Sequence, residues 1–137
     1  MIKKEYLDKF DGNSGVSSEL LNSIKLPERL PSDYIELIKN YNGGEGFVGE
    51  EYLILEKVEE FLEVNESCGI EEFDNNIFLI GSNGGGEAVA IDFRNKKPIY
   101  ILIPYIFEYE AIIELGTSLE EFFERIHKEG FFGKNKD

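Results

Sequence analysis

The chain has 137 residues, of which 42% are hydrophobic, with 11 Phe and 7 Tyr, and it carries a formal net charge of -14 from 28 acidic and 14 basic residues. The many aromatic side chains exclude a disordered chain, because their burial can offset the entropy lost on folding, and the length is that of one domain. The negative charge disfavours direct binding to nucleic acid or to an anionic membrane, whose phosphates repel it.

The first segment, residues 1–15, is charged and ends in the turn-rich sequence DGNSG. We expect it to be a flexible extension, with ordered structure beginning near Val16. It lacks the apolar core of a signal peptide, and no later stretch reaches the length of a membrane span, so we expect the protein to be cytoplasmic. The single cysteine, Cys68, allows no intrachain disulfide, in keeping with that location.

Two helices are predicted next. The first begins at the capping residue Ser17 and ends before Pro27. The second begins at Pro31, has Asp33 at the positive end of its dipole, and ends at Asn42-Gly43-Gly44. Its apolar stripe has i, i+3, i+4, i+7 spacing and consists of Tyr34, Leu37, Ile38 and Tyr41.

The middle of the chain is predicted to contain a strand, a helix and then a run of strands. EYLILE (51–56) is a strand, and residues 57–69 form an amphipathic helix with glutamates outside and Val58, Phe61 and Leu62 inside. Residues 77–81 and 87–93 form a hairpin through the glycine-rich turn, and 98–103 returns as a strand buried on both faces.

The C-terminal part is predicted to contain an edge strand and a helix. YIFEY (105–109) alternates as an edge strand with exposed aromatics, and the capping box SLEE (118–121) opens the last helix. This order of elements is typical of an α+β fold: one domain (16–130), with a largely antiparallel or mixed sheet and helices on one face or end, followed by a tail (131–137).

The sequence GSNGGGEA raises the question of a phosphate-binding loop. A P-loop needs Lys and then Ser or Thr after its last glycine, but Glu87 and Ala88 stand there. A dinucleotide-binding turn must lead into a helix, whereas Gly84-Gly85-Gly86 leads into a predicted strand. We therefore interpret the glycines as a hairpin turn and expect no cofactor.

No set of residues stands out as catalytic. His127 is the only histidine, and its pairing with Cys68 has no flanking motif to support it. The chain has too few His and Cys side chains to bind zinc. Its pairs of consecutive glutamates are better explained as solvated helix faces, so we expect neither an enzyme nor a metal site. A carboxylate- or metal-dependent hydrolase remains a remote alternative. The glutamate pairs are Glu50 and Glu51, Glu59 and Glu60, Glu71 and Glu72, and Glu120 and Glu121.

Four short motifs, in this order over about residues 16–128, resemble the SUKH superfamily of Smi/Knr-like domains. No single motif is specific, but their order is. They are Leu-Pro-x-Asp-Tyr (Leu30, Pro31, Asp33, Tyr34), Asn-Gly-Gly (42–44), Ile-Gly before a glycine-rich turn (Ile80, Gly81, 84–86) and the final helix in GTSLEEFFERI. Many relatives carry a Trp near the strands, and this chain has no Trp.

The resemblance implies an α+β domain without catalytic residues. Bacterial members look like immunity proteins, which bind and block polymorphic secreted toxins, many of them nucleases, inside the cell that produces them. Eukaryotic relatives act as regulatory or scaffolding modules, for example in cell-wall synthesis, and this role is the alternative hypothesis. A basic toxin surface would complement the net charge of -14, so we expect a toxin as partner, no nucleic acid, no membrane, and a monomer.

The predicted partner-binding residues combine acidic and aromatic side chains. Affinity requires anchors that lose their water on binding, and exposed tyrosines flanked by glutamates fit that requirement. An alternative is that these aromatic side chains complete the core. The predicted residues are Tyr105, Glu108, Tyr109, Glu110, Glu50 and Glu51.

Overall fold

The computed structural model describes residues 2–133 and shows one antiparallel sheet flanked by helices. Within these residues, seven strands lie side by side in chain order, so each strand pairs with its neighbours in sequence. The strands are β1 (Lys9–Ser14), β2 (Tyr41–Val48), β3 (Glu51–Leu55), β4 (Ile77–Ser82), β5 (Glu87–Asp92), β6 (Ile99–Pro104) and β7 (Ile113–Gly116). The α-helices are α1 (Ser18–Ser23), α2 (Ser32–Asn40), α3 (Phe61–Cys68), α4 (Ile70–Phe73) and α5 (Leu119–Glu129). The predicted α+β fold is confirmed.

The two faces of the sheet bury different clusters of side chains. On the first face, Val89 of β5 and Leu102 of β6 join the main core, to which α2 and α5 contribute. On the second face, Ala90 and Ile101 join a smaller cluster that includes Ile70 of α4. Successive strand residues point to opposite faces, which explains why β5 and β6 have uninterrupted apolar sequences. Burial of 98–103 on both faces is confirmed for Tyr100 to Ile103.

Ordered structure begins earlier than we expected from the sequence. Strand β1 lies before Val16 and pairs with β2, and Phe10 packs against the main core. A short 3-10 helix (Lys4–Leu7) precedes it and buries Tyr6, whose ring contacts that of His127 at 4.8 Å between centroids. β1 has few apolar residues and its partner lies about 30 residues away, so local patterning gave no sign of it. Of the predicted tail, 134–137 lies outside the described residues.

The predicted helix 57–69 is divided into shorter pieces. A 3-10 turn (Val58–Glu60) precedes α3, and Gly69, with φ of 79°, separates α3 from α4. Val58 and Phe61 are buried as predicted, but Leu62 is 58% exposed, so its inward placement is wrong. Asn65 takes an inward position instead: it accepts a hydrogen bond from the Leu79 N–H (2.8 Å) and donates to the Leu79 and Phe61 carbonyls.

The Asn-Gly-Gly motif does not end a helix, contrary to prediction. Helix α2 ends at Asn40, and the motif lies inside β2. The buried Asn42 side chain accepts a hydrogen bond from the Val58 N–H (2.8 Å) and donates to Glu59 Oε1 (2.7 Å). Gly43 has φ of 74°, and a Cβ there would lie 2.6 Å from the Leu55 carbonyl oxygen. The motif therefore lets β2 approach the chain that follows β3.

The predicted edge strand 105–109 is not a strand. After Pro104 the chain bends and forms a 3-10 turn (Tyr109–Ala111), and β7, which we did not predict, pairs with β6. The last helix, α5, is confirmed, and Ser118 Oγ accepts the Glu121 N–H (3.1 Å). Glu121 does not reach back to Ser118, however; its carboxylate accepts from Thr117 N–H (2.8 Å) and hydroxyl (3.0 Å).

Candidate protein-docking surface

The six residues predicted to bind a partner fall into two groups, one in the segment that follows β6 and one at the turn between β2 and β3. Tyr105 stands beside Ser82 at the end of β4, and Tyr109 lies against α4. Glu50 and Glu51 lie at the turn between β2 and β3, next to the end of α5. Both tyrosines are exposed, by 41% and 46%, so they do not complete the core. The structure therefore does not bring the predicted residues together into one surface.

Tyr109 is held by contacts within the protein. Its ring lies 4.5 Å from that of Phe73, its hydroxyl donates to Asp74 Oδ2 (2.8 Å), and the Arg94 guanidinium lies 5.0 Å from its ring centroid. The bond to Asp74 raises the pKa of Tyr109. Partial burial raises the pKa of Asp74, but hydrogen bonds from the Asn76 backbone and from Tyr109 outweigh it and leave that pKa lowered. Tyr109 thus presents its ring, with its hydroxyl already bonded.

The four predicted glutamates differ in whether their carboxylates are free to contact a partner. The carboxylate of Glu51 accepts the Phe131 N–H (3.1 Å) and so holds the chain after α5 against the sheet. Glu50 is exposed. In the segment 105–110, Glu108 and Glu110 are also exposed. Three of the four predicted glutamates are therefore accessible to a partner, whereas Glu51 bonds within the fold.

A surface that we did not predict lies on the second face of the sheet, at β1, β2 and β3. Helices α3 and α4 pack on this face at β4, whereas side chains of β1 to β3 are left exposed or half-buried. Strand pairing places Asp11, Glu45 and Ile54 in one row across the strands and Lys9, Phe47 and Tyr52 in the next. We call these six residues the open face.

The open face combines carboxylates with aromatic rings. Phe47 is 48% exposed and meets Tyr52 edge to face, with ring centroids 5.1 Å apart. The Tyr52 hydroxyl donates to Glu45 Oε2 (2.6 Å), and this bond is the main cause of the raised pKa of Tyr52. Asp11 lies directly opposite Glu45, so two like charges face each other across adjacent strands, an unfavourable pairing.

The open face continues to one of the predicted residues. Ser82 of β4 lies directly opposite Ile54, and the Tyr105 side chain lies beside Ser82. Partial burial raises the pKa of Tyr105. Tyr105 therefore stands at the border between the open face and the part of the sheet covered by α3 and α4.

The sequence contained one signal for this surface. In GGEGFVGEEYLIL, Glu45, Phe47, Tyr52 and Ile54 recur with the period of two that is typical of strands. The sequence alone predicts a helix end at the start of this stretch and an extension over residues 1–15, so it does not indicate that the strands of the open face are neighbours.

The residues considered for catalysis lie apart from this surface. His127 packs against Tyr6, and Cys68 is half-buried beside the smaller cluster, where burial raises the pKa of its thiol. Within residues 2–133, no group of three or more His, Cys, Asp or Glu side chains is arranged to hold a metal ion. None of the helices in that range has the length and apolar character needed to cross a membrane.

Comparison with known proteins gives one finding. Residues 16–125 match the family model described as the SMI1 / KNR4 family (SUKH-1). No curated protein matches the chain. The match covers most of the chain and all but the last residue of the motifs that suggested the resemblance, so the predicted family is confirmed.

Proposed function

Because this chain belongs to the SMI1 / KNR4 family (SUKH-1), we propose that it is an immunity protein, a non-catalytic module that binds and neutralises a cognate secreted toxin in the cytoplasm. The family is generally non-catalytic and its members have protein partners. We propose a nuclease as the toxin, since an enzyme that grips phosphates presents basic residues to its substrate.

The net charge of -14 is the observation that carries this proposal. Such a field accelerates encounter with a basic partner and repels nucleic acid, so the protein would compete for the toxin without binding the toxin's substrate. The exposed rings of Tyr105 and Tyr109, with the exposed Glu108 and Glu110 in the same segment, offer contacts that a partner could desolvate. We propose neutralisation by occupation of the toxin's substrate site, with no turnover.

Co-expression with the toxin encoded beside this gene is expected to restore growth, because one molecule of the protein occludes one molecule of toxin. The purified pair is expected to form a 1:1 complex whose Kd rises at least tenfold between about 50 and 200 mM salt, since salt screens the charges that join them. Calorimetry at several salt concentrations measures both properties. A charge-matched SUKH-like protein from an unrelated toxin locus serves as the control and is expected not to protect.

Two results would contradict the proposal. One is unchanged toxicity at full expression of the folded protein. The other is protection with no complex between the two proteins, which would indicate an indirect effect. Recovery of a cell-wall or signalling regulator from the native host, with no affinity for the toxin, would favour the regulatory or scaffolding role instead.

A further inference from the structure

The open face of β1 to β3 has the composition of a binding surface rather than of an ordinary exposed sheet face. It carries two rings, Phe47 and Tyr52, in edge-to-face contact, with the half-buried side chain of Ile54 beside them. The second face is covered only from β4 onwards, where Ile77 and Leu79 lie in the smaller cluster. Aromatic side chains that stand beside carboxylates are typical of protein-binding surfaces.

The charges on this face specify what would cover it. Asp11 and Glu45 face each other directly, and neither takes part in an ion pair among the described residues. A cation placed between them would relieve their repulsion. Lys9 is the only basic side chain of the open face, and it lies in the other row, opposite Phe47. Each of these observations favours a partner that brings positive charge.

The rings further favour arginine over lysine as the source of that charge. A guanidinium is planar and can bond a carboxylate with two N–H groups while its face stacks on an aromatic ring. Glu45 and Tyr52 offer this combination, because the Tyr52 hydroxyl donates to Glu45 Oε2 (2.6 Å) and so holds the carboxylate at the edge of the ring.

We propose that the open face is the docking surface for an arginine-bearing segment of a partner protein, which inserts a guanidinium between Asp11 and Glu45 and stacks it on Tyr52. The identification of that partner as the toxin rests on the proposed function. Tyr105 forms the border of the same surface at Ser82, whereas Tyr109 and Glu51 lie outside it.

The test compares two variants with the same change in charge. D11N/E45Q removes the opposed carboxylates of the open face, and E28Q/E36Q removes two exposed carboxylates in and just before α2, which packs on the first face. Each variant of the full chain is titrated with a fluorescently labelled nona-arginine peptide at about 50 mM salt, and anisotropy gives the Kd. We expect D11N/E45Q to bind at least tenfold more weakly than the wild type and E28Q/E36Q to bind within twofold of it.

A stability measurement separates loss of the site from loss of the fold. Since the removed carboxylates repel each other, D11N/E45Q is expected to unfold at the same or a higher urea concentration than the wild type while binding less. The single variant F47A keeps the charge but removes the ring that packs edge to face on Tyr52, and it is expected to weaken peptide binding about threefold to tenfold because the stacking ring loses its support. Equal losses of affinity in the two charge-matched variants would overturn the proposal, because binding would then follow net charge alone.

The same variants, tested against the neighbouring toxin, distinguish this proposal from the proposed function. If the wild type and D11N/E45Q bind the toxin equally well, the docking surface is wrong and the immunity function stands. If no form binds the toxin but the peptide discriminates between the variants as expected, the immunity function fails and the arginine site stands. A wild-type dimer in sedimentation that the peptide dissociates would show a second copy on this face and overturn the proposal.

Discussion

Replacement of Gly81 by alanine is expected to destabilise the protein by about 3 kcal/mol or more. A Cβ at this position would lie far inside van der Waals distance of the Ile54 carbonyl oxygen and 3.1 Å from the Leu55 Cα. Both neighbours are backbone atoms of β3, so no side chain can move aside. The pairing of β3 with β4 is short, with Ile54 opposite Ser82 and Leu55 opposite Gly81, and G81A would push these strands apart.

The matched control for this substitution is G86A in the neighbouring loop. A Cβ on Gly86 would meet no atom within 4 Å, so its change in unfolding free energy should stay within about 0.5 kcal/mol. Urea denaturation followed by far-UV circular dichroism measures both variants. Similar stability of G81A and G86A would show that β3 and β4 can separate without cost, contrary to the geometry. The three consecutive glycines are the more conspicuous motif, yet a Cβ would clash with the backbone at Gly81 and at none of those three.

Replacement of Asp33 by alanine is expected to lower the unfolding free energy by about 3 kcal/mol. One carboxylate oxygen accepts the Tyr100 hydroxyl (2.9 Å), and the other accepts the Leu119 N–H (2.8 Å) at the start of α5. Asp33 therefore joins α2 to β6 and to α5, 86 residues away. Tyr100 is 1% exposed, so its hydroxyl would be left buried without this partner.

Two companion variants separate the role of Asp33 from the general helix effects of a substitution. E36A removes an exposed carboxylate from the same helix and should change stability by less than about 0.5 kcal/mol. D33N keeps one acceptor oxygen and should lose about half as much stability as D33A. If E36A and D33A proved equally destabilising in urea, the two hydrogen bonds of Asp33 would contribute nothing measurable. The sequence alone explains Asp33 only through the dipole of its own helix.

The parts of the fold that could be predicted are those specified by nearby residues. The hairpin of β4 and β5, the burial of β6 on both faces, and the Ser118 cap of α5 all follow from local periodicity, turn residues or capping chemistry. These signals span a few residues each, so one sequence contains them in full.

The parts that could not be predicted depend on distant partners. β1 has Phe10 as its one inward apolar side chain and is fixed by β2, and Asn42 is buried because Val58 and Glu59 satisfy its side chain. The same reason hid the open face, since Asp11 and Glu45 become neighbours only when β1 pairs with β2. Of the predicted binding residues, only Tyr105 borders that surface, because sequence distance does not indicate which strands share an exposed face.

The order of the strands has a consequence for how the chain folds. Each strand lies beside its predecessor, so most strand pairings close short loops, and only the connections from residue 14 to 41 and from 55 to 77 span more than 20 residues. Pairing of this kind keeps the sequence separations within the sheet small, and folding rates rise as the mean separation of contacting residues falls. The sheet can thus grow by adding one strand at a time, in the direction in which the ribosome releases the chain.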